Sequence, residues 1–277
     1  TIKMCLISRG SCEMDMQLQG KKVLITGSTY GIGYAIAEAL TKEGADVVIT
    51  GRRQTTVTSA VEKLNIINPQ TKPIGISADC STTDGCQSVF DAVPEVDILI
   101  NNLGIYERKP FFEIEDADWA RLFEINVMSG IRFTKFYAPK MVSQEWGRVI
   151  FISSESGLMI PPEMIHYGFS KSAQLSISRG LAMSLSGTGV TVNALLPGPT
   201  RTETTQQQRQ QRADDWGIGI EQLEQEFFEK FRPTSIIKRF AEAKEVAPLA
   251  VYLCSPLSAL TTGAALRVEG GIVNQIT

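Results

Sequence analysis

The chain has 277 residues, of which 43% are hydrophobic and 21% charged, so it has enough apolar material for a sizeable core. Its net charge of −3 leaves no basic field that would attract nucleic acid or an anionic membrane. No apolar run reaches the roughly 18 residues that a membrane-spanning helix needs. The composition therefore predicts a globular protein that binds neither nucleic acid nor membrane.

The cysteines and the single histidine argue against disulfides and a bound metal. The cysteine count is odd, no C-x-x-C pair occurs, and a chain of this size needs no disulfide staples. His166 is the only histidine, so a histidine-based zinc site cannot be assembled. We expect a cytoplasmic protein without a metal, in which most of the cysteines are small buried hydrophobes. The five cysteines are Cys5, Cys12, Cys80, Cys86 and Cys254.

The first residues do not resemble a secretory signal. The apolar stretch at 4–7 is too short, and Glu13 and Asp15 follow it where small residues would mark a cleavage site. We expect residues 1–16 to be a mobile upstream extension or cloning remnant, and residues 17–277 to form a single domain.

From residue 21 onwards, short β-branched runs alternate with longer helical patterns. Several of the runs are apolar without alternation, as expected of parallel strands that are covered on both faces. The predicted strands are 23–25, 46–49, 74–76, 97–100, 148–152, 190–194 and 264–268, and the predicted helices are 32–43, 56–66, 83–92, 116–144, 167–185 and 242–254. This alternation predicts an α/β fold: a single-domain, Rossmann-type, doubly wound parallel sheet of about seven strands with helices on both faces.

One segment, residues 200–239, differs in composition from the rest of the chain. It contains a glutamine-rich run at 206–212 and an amphipathic stripe at 221–231. Because it follows a strand end, where open α/β sheets hold their ligands, we interpret it as a substrate-covering lid. The alternative is a surface helix that packs on the body of the protein. The apolar members of the stripe are Leu223, Phe227, Phe228 and Phe231.

A glycine-rich turn joins the first predicted strand directly to a helix. Glycines make such a turn tight and let the backbone approach a pyrophosphate, whose charge a helix N-terminus stabilises. The position after the first strand is the context in which this pattern indicates dinucleotide binding rather than a plain turn. The candidate cofactor-binding residues of the turn are Gly27, Ser28, Thr29, Tyr30, Gly31, Ile32 and Gly33.

The end of the second predicted strand bears on the choice of cofactor. An acidic residue there would accept from the ribose 2′-hydroxyl of NAD(H), whereas a basic residue suits the 2′-phosphate of NADP(H). Arg52 and Arg53 follow this strand without an acid, which favours NADP(H) over NAD(H), although two solvated loop charges are the alternative. Asp79, at the end of the third strand, either accepts from the adenine amino group or caps the next helix.

A tyrosine and a lysine indicate the chemistry. Tyr167 and Lys171 are four residues apart, which places them on one face of a predicted helix. We expect the lysine ammonium to lower the pKa of Tyr167 and so allow the phenol to exchange a proton with a substrate oxygen. Ser154, at the end of the fifth strand, precedes the pair and makes the pattern informative. We assign no catalytic role to His166, because adjacent helix residues point in different directions.

These motifs resemble those of the short-chain dehydrogenase/reductase superfamily, in its single-domain branch with a T-G-x-x-x-G-x-G turn and a Y-x-x-x-K pair. The likeness extends to 3-oxoacyl-acyl-carrier-protein reductases and covers residues 18–273. It includes four further motifs: Asn101-Asn102-Leu103-Gly104 after the fourth strand, Asn126 in a helix, 197–202 after the sixth strand and 269–271 near the C-terminus.

The resemblance implies an NAD(P)(H)-dependent oxidoreductase that moves a hydride between nicotinamide and a carbonyl or secondary alcohol. It implies that Tyr167 is the general acid/base and that Lys171 binds the nicotinamide ribose. Ser154 would hydrogen-bond the substrate oxygen, and Asn126 would hold a relay water behind Lys171. Further cofactor contacts are implied for Asn101, Asn102, Gly104, Pro197, Gly198, Thr200 and Thr202.

Two positions depart from the family pattern. Tyr30 stands where NADP-dependent members often have a basic residue, which weakens the argument for NADP(H) from Arg52. Leu103 stands where the family often has alanine, so the wall of the cofactor cleft is expected to shift slightly.

The segments predicted to face the substrate are mostly apolar and contain no Arg or Lys cluster, so we expect a moderately apolar substrate and disfavour a highly charged one. A catalytically silent NAD(P)-binding sensor or scaffold is the alternative, although such a protein should have lost the tyrosine, lysine or serine. An isomerase or epimerase that uses bound NAD is a further alternative. The resemblance implies a homotetramer or homodimer. The predicted substrate-facing residues are Tyr106, Phe111, Leu158, Met159, Ile160, Met164 and the aromatic residues of the lid.

Overall fold

One parallel sheet organises the computed structural model, which describes residues 14–276. The sheet order is β3-β2-β1-β4-β5-β6-β9. The seven strands are β1 (Lys22–Ile25), β2 (Asp46–Gly51), β3 (Ile74–Ser77), β4 (Ile98–Asn101), β5 (Gly147–Ile152), β6 (Val190–Pro197) and β9 (Ala265–Val268). Two short strands, β7 (Thr200–Arg201) and β8 (Ala241–Glu242), pair separately and were not predicted. The predicted doubly wound α/β fold is confirmed.

The helices cover both faces of the sheet. They are α1 (Gly31–Lys42), α2 (Gln54–Ile67), α3 (Thr83–Ala92), α4 (Asp116–Phe123), α5 (Ser129–Ser143), α6 (Ile165–Ser184), α7 (Glu203–Trp216), α8 (Ile220–Lys230) and α9 (Ala243–Cys254). Strand β1 illustrates that both faces of the sheet are buried. Successive side chains of a strand point to opposite faces. Val23 and Ile25 belong to the core cluster under α1 and α9, whereas Leu24 belongs to the cluster under α3 and α5.

The strand order reverses between β1 and β4, and this reversal positions the site. From β1 the chain builds outward through β2 and β3, then returns across the sheet to β4 on the other side of β1. The loops that leave β1 and β4 therefore diverge and leave a crevice at the carboxyl ends of the strands, where open α/β sheets bind ligands.

Two helical regions differ from the prediction. The single helix predicted at 116–144 is interrupted by a π-helical turn, Glu124–Met128, which carries Asn126. Helix α7 was not predicted as a helix, because its sequence is polar on every side and has no apolar stripe. Its start is defined instead by Thr202, whose side chain accepts from the backbone N–H of Thr205 at 3.3 Å.

The chain enters the fold slightly before the predicted domain start at residue 17. Leu18 is fully buried in the core and Met16 packs against that core, while the predicted extension up to residue 13 lies outside the described residues. The described cysteines Cys80, Cys86 and Cys254 are buried free thiols. Among residues 14–276, no helix is both long and apolar enough to cross a membrane.

Candidate active site

A cleft of about 1620 Å³ opens at the carboxyl ends of the strands. Its floor is formed by the glycine turn after β1 and by the ends of β2, β4 and β5, and its other wall by α7 and α8. The predicted site residues that line it are Gly27, Thr29, Tyr30, Gly31, Ile32, Gly33, Arg52, Arg53, Asp79, Asn102, Gly104, Ser154, Tyr167, Lys171, Gly198, Thr200 and Thr202. The fold thus brings together residues that are far apart in the sequence.

The glycine turn has the geometry of a cradle for a bound group. Gly27 and Gly31 have φ values of +62° and +61°, in the left-handed region that side chains disfavour. A Cβ on Gly33 would lie only 2.4 Å from Nδ2 of Asn102, so no larger residue fits there. That Nδ2 donates to the carbonyls of Thr26 and Gly27, at 2.9 Å each, which fixes the turn to the loop after β4.

Three predicted cofactor residues do not reach the cleft. The Ser28 hydroxyl is fully buried and donates to the carbonyl of Ile25 at 2.7 Å, so it supports the turn from behind. Nδ2 of Asn101 donates to Oγ1 of Thr134 at 3.0 Å, away from the cleft. Pro197 is the last residue of β6 and is buried within the sheet. These side chains hold the walls of the cleft in place without lining it. The position of a motif in the sequence does not distinguish a supporting residue from a lining residue.

The edge of the cleft at the end of β2 carries positive charge. Arg52 and Arg53 are exposed, and neither guanidinium has a carboxylate within ion-pair distance in the described part of the chain. The carboxylate of Asp79 is engaged by Ser81, which donates to it from N at 3.1 Å and from Oγ at 2.6 Å. A phosphate at this edge would meet two free cations.

A carboxylate from α7 lies at the N-terminus of α1. The backbone N–H of Gly31 donates to Oε2 of Glu203 at 3.0 Å. The same N–H belongs to the first turn of α1, where the helix dipole and unpaired amides attract anions. Glu203 therefore marks an anion-binding position at the glycine turn.

Tyr167 and Lys171 face the cleft from α6, as predicted. The Lys171 Nζ lies 5.7 Å from the centroid of the Tyr167 ring. Its ammonium donates to the carbonyl of Ile152 at 2.9 Å and to Oε1 of Gln174 at 3.2 Å. The Tyr106 ring packs edge-on against Tyr167, with the ring centroids 6.3 Å apart.

The expected fall in the pKa of Tyr167 is wrong for this arrangement. Burial raises the pKa of the Tyr167 phenol, and the Glu155 carboxylate raises it further. Burial also lowers the pKa of Lys171 to about 7, against the opposing effect of Glu155. Desolvation disfavours the charged form of each side chain, so in this arrangement burial outweighs the effect that the lysine was expected to have on the Tyr167 phenol.

Ser154 lies beside an acid that sequence reasoning missed. Its hydroxyl donates to Oε2 of Glu155 at 2.5 Å. The other carboxylate oxygen, Oε1, accepts from Nε of Arg232 at 3.1 Å, and both charged side chains are buried. The only signal in the sequence was an acid directly after the serine, with nothing to show that an arginine from beyond α8 would neutralise it.

Asn126 and Gln174 connect the lysine to the rest of the site. Asn126 Nδ2 donates to the Ile105 carbonyl and to Ser170 Oγ, both at 2.9 Å, so its side chain ties the loop after β4 to α6. The Gln174 Nε2 donates to the backbone carbonyl of Asn126 at 2.6 Å while its Oε1 accepts from Lys171. Gln174, which was not predicted, thus bridges Lys171 and Asn126.

The substrate side of the cleft differs most from expectation. Of the predicted residues outside the lid, Tyr106 and Met164 line the cleft, whereas Phe111 and the loop at 158–160 do not. The predicted absence of an arginine cluster is also wrong. Four arginines line the cleft, and the sequence did not show them as a cluster because they come from three separate segments of the chain: Arg108, Arg209, Arg212 and Arg232. His166 is fully buried, and its ring nitrogens have no hydrogen-bond partner in the described structure.

No group of three or more His, Cys, Asp or Glu side chains within residues 14–276 is arranged to hold a metal ion.

Comparison with known proteins identifies the family. The short chain dehydrogenase family matches residues 21–213. The chain is 44% identical to the oxidoreductase YvaG of Bacillus subtilis, over 95% of this chain and 100% of that protein. It is 30% identical to the 3-oxoacyl-[acyl-carrier-protein] reductase FabG of Aquifex aeolicus, over 94% of this chain and 100% of the relative.

A solved structure supports the same family assignment. L-sorbose reductase from Gluconobacter frateurii, complexed with NADPH and L-sorbose, superposes with a TM-score of 0.90 at 29% identity, covering 95% of this chain and 100% of that one. The chain belongs to the short-chain dehydrogenase/reductase family and is an oxidoreductase that acts on CH–OH and C=O groups with a nicotinamide cofactor.

Proposed function

We propose that this chain is an NADP(H)-dependent carbonyl reductase in which Tyr167, Ser154 and Lys171 act on the substrate oxygen and its proton. The observation that carries the proposal is that the Tyr167 phenol and the Ser154 hydroxyl line the same cleft as the glycine turn. A substrate in this cleft can therefore meet a proton donor and a bound dinucleotide at once.

The residues divide the chemistry between them. When bound, the nicotinamide supplies the hydride for reduction or accepts it in oxidation. Tyr167 gives its proton to the substrate oxygen, and the Ser154 hydroxyl turns its one O–H from Glu155 to the same oxygen. Because burial and Glu155 raise the pKa of Tyr167, the phenol stays protonated at neutral pH, which suits the direction of reduction.

The amino group of Lys171 is held in a fixed position in the site. Its ammonium is held by the Ile152 carbonyl and by Gln174, which is itself held by the Asn126 carbonyl. This chain of hydrogen bonds keeps Nζ beside Tyr167 and facing the cleft, where it can bind a ribose hydroxyl. Asn126 and Gln174 act as positioning residues, since neither side chain is among those that line the cleft.

The glycine turn fits a dinucleotide, and the edge of β2 favours NADP(H). The tight turn made by Gly27 and Gly31 and the amides at the start of α1 suit a pyrophosphate. Arg52 and Arg53 suit a 2′-phosphate, with no acid at the end of β2 to repel it. The related L-sorbose reductase was solved with NADPH, as was an actinorhodin polyketide ketoreductase with 28% identity to this chain.

Helices α7 and α8 act as a lid in this proposal. Both line the cleft opposite the glycine turn. An anion that binds at the N-terminus of α1 must displace the Glu203 carboxylate from the Gly31 N–H, so binding there is coupled to movement at the start of α7.

A panel of ketones and secondary alcohols tests the reaction. With NADPH and at least one ketone of the panel, we expect the absorbance of the reduced nicotinamide to fall. This fall should depend on the presence of the carbonyl compound. If no ketone or alcohol on a broad panel changes the redox state of NADPH, NADH or their oxidised forms, the proposed activity is excluded.

Replacement of Arg52 tests the cofactor. A charge-assisted hydrogen bond to a phosphate contributes about 1.5–3 kcal/mol to the binding free energy, and at an exposed site we expect the lower end of this range. We therefore expect Arg52→Ala to weaken NADPH binding about tenfold and to leave NADH binding unchanged, as measured by fluorescence titration. NADH serves as the internal control because it lacks the 2′-phosphate, and equal or tighter binding of NADH by the unaltered protein would overturn the preference.

A further inference from the structure

Arg108 presents an unsatisfied guanidinium to the substrate side of the cleft. It lies in the loop after β4, is half-buried, and stacks near two aromatic rings of the α8 region, with its Cζ 5.1 Å from the Phe231 centroid and 5.6 Å from that of Phe227. Among residues 14–276 it forms no ion pair and no hydrogen bond. A guanidinium has five N–H donors, and since none of those of Arg108 has a protein partner in the described structure, all of them are available to a ligand that enters the cleft.

Two other arginines and one glutamate act on the charge of Arg108. Burial is the main cause that lowers the pKa of Arg108, and the charges of Arg212 and Arg232 lower it further, while Glu163 opposes them. The Glu163 carboxylate is also close to Arg232, at 3.7 Å, and does not come within ion-pair distance of Arg108. Arg108 therefore has no ion-pair partner of its own among the described residues, and a bound anion would supply one.

The other arginines of the cleft show which charges are free. Arg232 is paired with Glu155, and Arg209 donates to Glu224 at 2.6 Å. Arg212 has no ion pair in the part of the chain that the structure describes; its Cζ lies 5.9 Å from the Trp216 ring centroid, and it lines the cleft. On the substrate side of the cleft, two positive charges, those of Arg108 and Arg212, are therefore available to a ligand.

This positive end lies close to the reacting centre. Arg108 and Arg232 lie near the same Phe227 ring, at 5.6 and 5.7 Å from its centroid. Arg232 in turn binds Glu155, the acceptor of the Ser154 hydroxyl. Arg108 and Ser154 thus line the same cleft and are connected through one aromatic ring and one ion pair.

We propose that the substrate carries an anionic group, a carboxylate or a phosphate, that Arg108 binds with Arg212 in support while the carbonyl lies at Ser154 and Tyr167. This inference rests on the proposed carbonyl reduction and names its substrate class. It differs from the moderately apolar substrate expected from the sequence. A planar guanidinium pairs with either anion through two parallel hydrogen bonds.

Paired substrates that differ only in charge test the proposal. The carboxylate series is 3-oxobutanoate, 4-oxopentanoate and 5-oxohexanoate, each beside its methyl ester, and the phosphate arm is dihydroxyacetone phosphate beside dihydroxyacetone. We expect the unaltered enzyme to prefer the charged member of at least one pair, which identifies the anion and the span. Arg108→Gln should lower kcat/KM for that charged member about 10- to 100-fold and leave its neutral partner within about twofold.

Two further variants sharpen this test. Arg108→Lys should recover part of the loss, because it restores the charge without the planar fork. Lys230→Gln is the matched control, since Lys230 also lines the cleft but is exposed and already paired with Glu226 at 2.7 Å, and it should change neither member of the pair. Unchanged turnover of the neutral ketone shows that each variant is folded.

A binding measurement separates this proposal from the proposed reaction. Calorimetric titration with hexanoate, which has no carbonyl to reduce, should detect binding to the unaltered protein, weaker binding to Arg108→Gln, and none of hexanamide. If neutral ketones are reduced but charge has no effect and Arg108→Gln changes nothing, the anion site is overturned while the reductase activity stands. If no ketone is reduced yet hexanoate binds through Arg108, the reaction fails and the anion site survives.

Discussion

Tyr167→Phe is expected to lower kcat for ketone reduction by about 10²–10⁴-fold, the range in which a positioned general acid contributes. The substitution removes only the phenolic oxygen and its proton, and the ring remains to pack against Tyr106 at 6.3 Å. The substrate oxygen then has no acid to protonate it as the carbon is reduced. Lys171 keeps its hydrogen bonds to Ile152 and Gln174, so the affinity for NADPH should change less than about threefold.

A neighbouring phenol supplies the control for Tyr167→Phe. Tyr106 lines the same cleft, but its hydroxyl donates to Gln208. Tyr106→Phe should therefore keep kcat within a few-fold while altering KM. Steady-state kinetics with NADPH titrations on both variants make the comparison, and turnover by Tyr167→Phe near that of the unaltered enzyme would remove the phenol from the mechanism.

Ser154→Ala is expected to lower kcat by about 10²–10³-fold, as loss of one donor to a developing oxyanion does. The hydroxyl lines the cleft and in this structure donates to Glu155 at 2.5 Å. Glu155 remains paired with Arg232 when the serine is removed, so the fold around it is retained. The loss should fall mainly on kcat rather than on KM, because the contact strengthens as charge develops on the substrate oxygen.

The adjacent serine is the matched control for Ser154→Ala. The Ser153 hydroxyl donates to the backbone carbonyl of Lys171 at 2.9 Å and so holds α6 against β5. Ser153→Ala should cost about 1 kcal/mol of unfolding free energy and little kcat. If the two alanine variants lose the same activity, the effect comes from disturbed packing, and Ser154 has no special role.

The sheet, the glycine turn and the pairing of Tyr167 with Lys171 could all be predicted, because each depends on residues close in sequence. Apolar runs specify the buried strands, and a spacing of four specifies one face of a helix. The same local reasoning failed for α7, which has no apolar stripe and lies over the cleft because of its tertiary contacts.

The charges of the site could not be predicted, since they depend on partners far apart in the chain. Glu155 and Arg232 are 77 residues apart, and Arg108 meets the aromatic rings of α8 only in the folded protein. The direction of the Tyr167 pKa depends on the same fact. The sequence shows a lysine one turn away, but burial and the Glu155 carboxylate decide the outcome.

The most direct test of the account is isotope transfer. NADPH deuterated at both C4 positions is incubated with a ketone that the enzyme reduces, and the product alcohol is examined by mass spectrometry. We predict one deuterium on the carbinol carbon with the unaltered protein, and a yield lower by about 10²–10⁴-fold with Tyr167→Phe. An alcohol without deuterium, or equal labelling by both proteins at equal rates, would contradict hydride transfer at a site served by Tyr167.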